Sequence, residues 1–440
     1  MIDIVIRDYK PGDKSQVMNI VFELEKYYPN IREWFPKQIE KIDKGELICK
    51  VAELKGKIGG VAFSGRKNEH CVKLKTFYIT KDFRGSAIGP RLLETIVDYW
   101  VKERIRKIYV TFAEEEVDEL LPFFQEYGFL FDGIAPFAYR PNVSEYIMSK
   151  MQVYGEITEK EFFDFVWHYL FRLRGYRKID GEKDFLILQK IISIKEAYKI
   201  YVKIITDISP AKKLFDEISK EAGDIGCTSK ILVTYYPLPF SHKNEDIKVI
   251  DGYDIETLFY PLVLRRSRYT GVISSIEKRY ADRILYDPSQ MLLDADRRSL
   301  RIDKVFYKYP QAFKEMRRGS TFVFYQSGPT KAIVGEGKIK EVDIDTPERL
   351  YQKYSEKGVL KLSDIEKFAD QKNKAMAILF GKTTRYENEI PLRKIRNIKP
   401  AFNPQGATFI SQEELDIVRE QGGVRTNERL DGFNSTRAWK

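Results

Sequence analysis

The chain has 440 residues, 43% of them hydrophobic and 13% aromatic, and carries a formal net charge of +10. That length exceeds one ordinary core and predicts two or three domains, while the apolar content excludes extensive disorder. No run reaches the roughly 20 apolar residues of a membrane-spanning helix, and "MIDIVIRDYKPGD" has charges where a secretion signal has its apolar core, so a soluble, cytoplasmic protein is expected.

Residues 1–150 alternate between strand and helix patterns. "IDIVIRDY" reads as a strand, "DKSQVMNIVFELEKYY" has the helical period, and "ELICKVAELKGKIGGVAFSGR" reads as two strands joined by a Lys-Gly turn. "CVKLKTFYIT" is a further strand that runs into "FRGSAIGPRLLETIVDYW", a Gly-bracketed turn followed by an amphipathic helix. After it come the apolar strand "KIYVTFA" and "VDELLPFFQEYGFLFDG", a helix predicted to stop near Gly128. The turn is built for an anion. A helix N-terminus presents unpaired N–H groups and a partial positive charge, small side chains admit a phosphate to the backbone, and Arg84 adds charge. A tight turn packed on a sheet has the same composition, so the turn alone does not decide.

In context, Arg84-Gly85-Ser86-Ala87-Ile88-Gly89 after "LKTFYIT", with Gly128-Phe129 closing the later helix, resembles the GNAT family of acyl-CoA N-acetyltransferases over about residues 3–150. The resemblance implies that residues 84–89 hold the pyrophosphate of acetyl-CoA. It also implies that the strand at Phe77, Tyr78 and Ile79 hydrogen-bonds the pantetheine arm by strand addition. Two departures stand out. Ala87 replaces a glycine, and Phe124 stands where many members have the tyrosine that protonates the leaving thiolate, which leaves Tyr127 or water for that role. For the general base, "AEEEVDE" offers Glu114 and Glu115 near the expected splay of strands. The same acids also suit a solvated helix start.

Residues 155–265 read as a second α/β region. "EKEFFDFVWHYLFRLRGYRKI" is an aromatic-rich helix, "KDFLILQKIIS" and "AYKIYVKIITD" are paired strands, and "AKKLFDEISKEAGDIG" is a helix with a Gly stop. The region faintly resembles the Mrr-like restriction-endonuclease fold, with Asp184 and Lys203 in plausible places, but Tyr201 replaces a metal-binding acid, so a non-catalytic domain is expected. With Cys49, Cys71 and Cys227 far apart and only three histidines, no metal site is expected anywhere.

Residues 270–420 form a third region with short strands and Gly turns, followed by a tail at 421–440. "RRGSTFVFYQSG" and "KAIVGEGKI" resemble the ASCH group of PUA-like β-barrels, which implies a nucleic-acid ligand, RNA above all. Arg297, Arg298, Arg317, Arg318 and Tyr325 are the candidate contacts, because arginine forks match phosphates and aromatic faces stack bases. The region lacks a clear Gly-x-Lys-x-x-Glu-x-Arg motif. The expected fold is thus α+β and multidomain, a GNAT mixed sheet, a central α/β domain and a C-terminal barrel with helices. The expected function is acetyl-CoA-dependent N-acetylation of RNA or a nucleic-acid-associated amine. The alternative is a nucleic-acid-binding regulator that does no chemistry. The oligomeric state is left open by the sequence.

Overall fold

A computed structural model describes residues 4–54, 56–84, 88–182, 184–191, 197–207, 213–238, 246–265, 271–285, 304–310, 316–355, 358 and 360–424. The described residues fall into two compact units, 4–154 with Thr257–Pro261, and 155–256 with 262–285 and 304–424. The architecture is α+β and multidomain, with several mixed sheets, none of them closed into a barrel among the described residues.

The first unit contains β1 (Ile4–Asp8), α1 (Lys14–Phe22), α2 (Ile31–Asp43), β2 (Ile48–Leu54), β3 (Lys57–Arg66), β4 (Cys71–Ile79), α3 (Ile88–Lys102), β5 (Lys107–Ala113), α4 (Val117–Glu126), β6 (Leu130–Arg140) and β7 (Val143–Met151). The sheet order is β1-β2-β3-β4-β5-β7-β6, and every neighbouring pair is antiparallel except β4 with β5. Two cores flank it. Val17, Ile20, Phe35 and Ile39 of α1 and α2 cover one face, while Leu92, Ile96, Trp100 and Phe124 of α3 and α4 cover the other. In α3 the apolar residues Ile88, Leu92, Leu93 and Ile96 recur at helical spacing, so one stripe is buried against the sheet.

The helix α4 ends at the expected place. Gly128 has φ +78°, a conformation that side chains with a Cβ avoid, and a Cβ there would meet Lys150 Nζ at 2.5 Å and the Thr257 carbonyl at 2.6 Å. Lys150 itself is buried and donates to the carbonyls of Tyr127 (3.1 Å) and Thr257 (2.7 Å).

The second unit contains a two-stranded pair, β8 (Glu156–Ile157) with β14 (Val263–Leu264), and two larger sheets. One has five strands, β9 (Arg177–Asp180), β10 (Phe185–Ile191), β11 (Ala197–Ile205), β12 (Ser229–Thr234) and β13 (Ile247–Ile250), in the order β13-β12-β11-β10-β9. The strands read as paired, β10 and β11, are antiparallel neighbours, and α5 (Glu159–Phe165) and α6 (Lys213–Asp224) accompany the sheet. The other has six strands, β15 (Gly271–Ile276), β16 (Lys304–Lys308), β17 (Thr321–Gln326), β18 (Ala332–Asp345), β19 (Ala375–Pro391) and β20 (Thr408–Ile410), in the order β16-β19-β18-β17-β15-β20. Where a C-terminal barrel was expected, this sheet is open among the described residues, with β16 and β20 at its two ends.

Candidate active site

The parallel pair β4 and β5 forms the site. The two strands share a ladder only from Cys71 opposite Lys107 to Leu74 opposite Val110, yet β4 continues to Ile79 and β5 to Ala113. Beyond Leu74 and Val110 they diverge, and the backbone of residues 75–79 has β3 on one side and a fork on the other. A wedge of rings fills that fork from the α4 side. Phe124 packs against Phe77 of β4 and Phe112 of β5, with centroids 5.9 Å away in each case, and it is 1% exposed. Phe124 therefore packs within the splay and has no ionisable proton to offer there.

Of the residues expected to hold the donor, Phe77, Tyr78 and Ile79 lie along the open edge, and Ile88 and Gly89 begin α3 and are buried. Gly85, Ser86 and Ala87 lie outside the described residues. Arg84 stands at the end of the edge. Its Nε donates to the Ile79 carbonyl (3.2 Å), its Nη1 bonds both carboxylate oxygens of Glu119 on α4 (3.2 and 3.1 Å), and its guanidinium lies 5.6 Å from the Tyr78 ring. The positive charge is present where a pyrophosphate is expected, and a carboxylate already holds it.

Glu114 and Glu115 follow β5 in a short turn and are exposed. Glu115 pairs with Arg140 near the β6–β7 turn, and that guanidinium holds its carboxyl below the usual range, the opposite of what a base working near neutrality needs. Tyr127 ends α4 with its ring 5.1 Å from that of Phe123.

A carboxylate that the sequence did not single out has the missing property. Glu145 on β7 sits opposite Ala113 of β5 and Ala135 of β6, two small neighbours that leave room for it inside the sheet. It is 2% exposed, and its Oε2 has no hydrogen-bond partner among the described residues. Burial pushes its carboxyl up to about 7, against the pull of Lys73, Arg140 and the Tyr28 hydroxyl. Because strand neighbours alternate faces, Tyr146 next to it stacks on Phe112 on the wedge side, while Glu145 faces Tyr28 and Lys73 on the α1–α2 side. There Tyr139 lies edge-on to Tyr28, with centroids 5.5 Å apart and its hydroxyl taking a bond from Lys73 (2.8 Å), and Arg140 reaches the Lys26 carbonyl (3.3 Å). The β6–β7 turn also lines an open cavity of about 400 Å³ between Phe137 and Asn142.

In the second unit the residues expected to touch nucleic acid are placed differently. Arg318, in the turn before β17, bonds the buried Asp251 (2.9 Å), Asp254 (2.5 Å) and the Lys340 carbonyl (3.1 Å), and stacks on Tyr253 at 4.4 Å. This joins the segment after β13 to the six-stranded sheet. Tyr325 is 2% exposed and packs on Phe402, so no ring face is open to a base. Tyr325 is enclosed and the half-buried Arg318 is held by two carboxylates, which corrects their assignment to a nucleic-acid surface. Arg317 is half-buried in the same turn, and Arg297 and Arg298 lie outside the described residues. Lys203 lies between Asp184 (3.0 Å) and Glu221 (3.6 Å), a paired cation as its surroundings demand. Among the described residues no helix is long and apolar enough to cross a membrane, and no three potential metal ligands cluster.

Comparison with known families matches two stretches of the chain. Residues 15–129 match the Acetyltransferase (GNAT) family, and residues 269–399 match a domain of unknown function, DUF365. Over 122 residues the chain is 27% identical to the large ribosomal subunit protein uL22 of Ureaplasma parvum serovar 3, covering 28% of this chain and 36% of that protein. It thus spans about a third of the length of the curated relatives it matches. Among solved structures it is similar to ASCH from Zymomonas mobilis, with 16% identity, 34% of this chain and 94% of that chain covered, and a TM-score of 0.28. It is also similar to an acetyltransferase of the GNAT family from Desulfovibrio desulfuricans, with 16% identity, 34% and 98% covered, and a TM-score of 0.30.

Proposed function

Starting from a GNAT acetyltransferase domain in the first unit, we propose that this protein transfers the acetyl group of acetyl-CoA to an amine on RNA or on a nucleic-acid-associated molecule. Acetyl transfer in general follows from the family match over residues 15–129; the acceptor and the roles of single residues are our assignment. The observation that carries it is the fork between β4 and β5, with an open backbone edge on one strand and a buried, half-satisfied carboxylate one strand beyond the other.

In this arrangement the pantetheine arm adds to the edge of β4 at Phe77–Ile79, and Arg84 leaves Glu119 to meet the pyrophosphate. The amine enters from the α1–α2 side, past the packed rings of Tyr28 and Tyr139. Its nitrogen attacks the acetyl carbonyl, the N–C bond forms, and Glu145 takes the ammonium proton. The C–S bond then breaks, and the thiolate takes a proton from Tyr127 or water, since Phe124 offers none. Most of the acceleration comes from holding amine and thioester together.

The same Phe124 wedge favours a second function, a nucleic-acid-binding regulator with a silent donor site. Calorimetry of acetyl-CoA on the whole chain separates the two. Saturable binding, weakened at least tenfold in Arg84→Glu and accompanied by turnover on an amine panel, supports the enzyme. Binding without turnover on polyamines, lysyl peptides and aminoacyl-RNA favours the regulator, and no binding removes the donor site altogether.

A further inference from the structure

With Arg318 held by Asp251 and Asp254 and the Tyr325 ring enclosed, a second group of cations in the second unit comes into view. The segment Arg172–Lys178, "RLRGYRK", carries four cations and no acid. It closes the helical stretch that begins at α5, and Gly175 at φ +81° turns the chain directly into β9. This turn sets Arg172 and Arg174 beside Arg177 and Lys178 of β9, the edge strand of the five-stranded sheet.

The pairing register extends the charge inward. Lys178 lies opposite Leu188 of β10, and Lys190, two residues on, lies opposite Tyr198 of β11. Residues directly opposite share a face, as do residues two apart, so Lys178, Lys190 and Tyr198 project from one face of the sheet. Both lysines are laid over rings, Lys178 over Phe163 at 5.4 Å and Lys190 over Tyr176 at 4.9 Å. Arg172, Arg177, Lys178 and Lys190 make no ion pair with any described residue, and the Tyr198 ring is 45% exposed. Asp180, at the far end of β9, accepts from the Gly181 N–H. Two structural roles compete for these cations, complementing the end of a helix and keeping an edge strand from pairing with another chain. Neither calls for an exposed tyrosine among the lysines.

We propose that this edge, from the Arg172–Arg174 turn across β9 to Lys190 and Tyr198, binds a single-stranded nucleic acid. The cations take successive phosphates, and Tyr198 offers a flat surface for a base. The inference rests on the nucleic-acid-associated acceptor proposed above and locates the contact away from the six-stranded sheet.

The test measures anisotropy of fluorescein-labelled 20-nucleotide oligo(U) with the whole chain across a salt series. Lys178→Glu/Lys190→Glu, two cations on the face of Tyr198, is compared with Arg393→Glu/Lys394→Glu, an equal charge change at exposed positions on the helix Leu392–Ile398. The expected result is a tenfold or greater loss in the first variant only, a salt slope smaller by about 1.4 from two lost phosphate contacts, and a several-fold loss in Tyr198→Ala. Equal losses in both double variants, or none in the first, overturn the edge as the site while leaving a nucleic-acid partner in place. Displacement by polyglutamate as readily as by unlabelled oligo(U) overturns the ligand class, and no binding by the unaltered chain at low salt overturns both inferences.

Discussion

Two buried carboxylates, Asp251 of the second unit and Glu145 of the first, are handled in opposite ways. In the second unit, Asp251 accepts from the N–H groups of Leu238, Tyr253 and Asp254 and from Arg318, so an acid removed from water finds its bonds in the backbone and in a half-buried guanidinium. In the first unit, Glu145 is equally removed from water and keeps an oxygen without a partner beside an opening in the sheet. A closed network contributes to one arrangement of the chain. An unfinished one has a proton affinity shifted toward neutrality and room for a further group, which is the condition for proton transfer.

The largest test of that contrast is Glu145→Gln. Acetyl transfer to a primary amine is expected to fall by about 10²–10⁴-fold, with acetyl-CoA affinity unchanged. In the unaltered protein the rate rises with pH through about 7, where Glu145 loses its proton, and the variant lacks that limb. A variant that keeps both rate and limb would remove Glu145 from the mechanism.

Next in size is Arg318→Ala. Removing the cation leaves the buried Asp251 and the half-buried Asp254 facing each other, an effect of about 3 kcal/mol, the low end for a buried pair because Arg318 and Asp254 are partly exposed, read as an earlier denaturation of the second unit. Asp254→Asn is milder, because burial and the neighbouring Asp251 already push its carboxyl up to about 6 and Arg318 retains Asp251. Equal losses in both variants would mean that the network is not organised around Arg318.

A third expectation concerns pH and stability in the first unit, where β7 carries two groups displaced toward the same value from opposite sides. Glu145 is raised from 4.5 to about 7, so the native state holds the extra proton and stability falls as pH rises from 4.5 to 7, by about 3 kcal/mol at most. Lys150 is lowered by burial from 10.5 to about 7, so the unfolded state holds the extra proton and stability climbs between pH 7 and 10.5. Together they produce a minimum near pH 7 in the denaturation midpoint of this unit. Glu145→Gln flattens the acid side and Lys150→Met the alkaline side, and a profile unaffected by either would show that both side chains reach water.

How much of this was legible in the sequence depends on whether a residue's role is set by its neighbours in the chain. The strand at Phe77–Ile79, the helix beginning at Ile88 and the stop at Gly128 follow from local pattern, and all three are found. Glu145 was not legible. In "VSEYIMSK" a glutamate between a serine and a tyrosine reads as a solvent-facing strand position, and it is the pairing with Ala113 and Ala135 and the cover of Tyr28, far off in the chain, that enclose it. Arg318 misled for the converse reason. A basic Gly turn looks exposed, while the acids that enclose it stand more than sixty residues earlier in the chain (separations of 67 and 64). The cations of Arg172–Lys178 were within view, but their meaning depends on Gly175 turning a helix end onto an edge strand.

The smallest effect concerns Arg84, which shares features of both kinds of network. It is paired, yet its partner Glu119 lies on α4 across the open edge, and the side chains are 37% and 62% exposed. A pyrophosphate at α3 must draw the guanidinium from that carboxylate, so the pair opposes donor binding by what an exposed ion pair contributes, about 0.2–1 kcal/mol. Glu119→Gln is therefore expected to tighten acetyl-CoA about 1.5- to 5-fold by calorimetry, with the gain shrinking at high salt as the ion pair is screened. In an Arg84→Glu background the same substitution should give no such gain, because the competition it relieves is already absent. A gain that persists there would mean that Glu119 acts on the donor through its own charge, and the pair with Arg84 would then be incidental to binding.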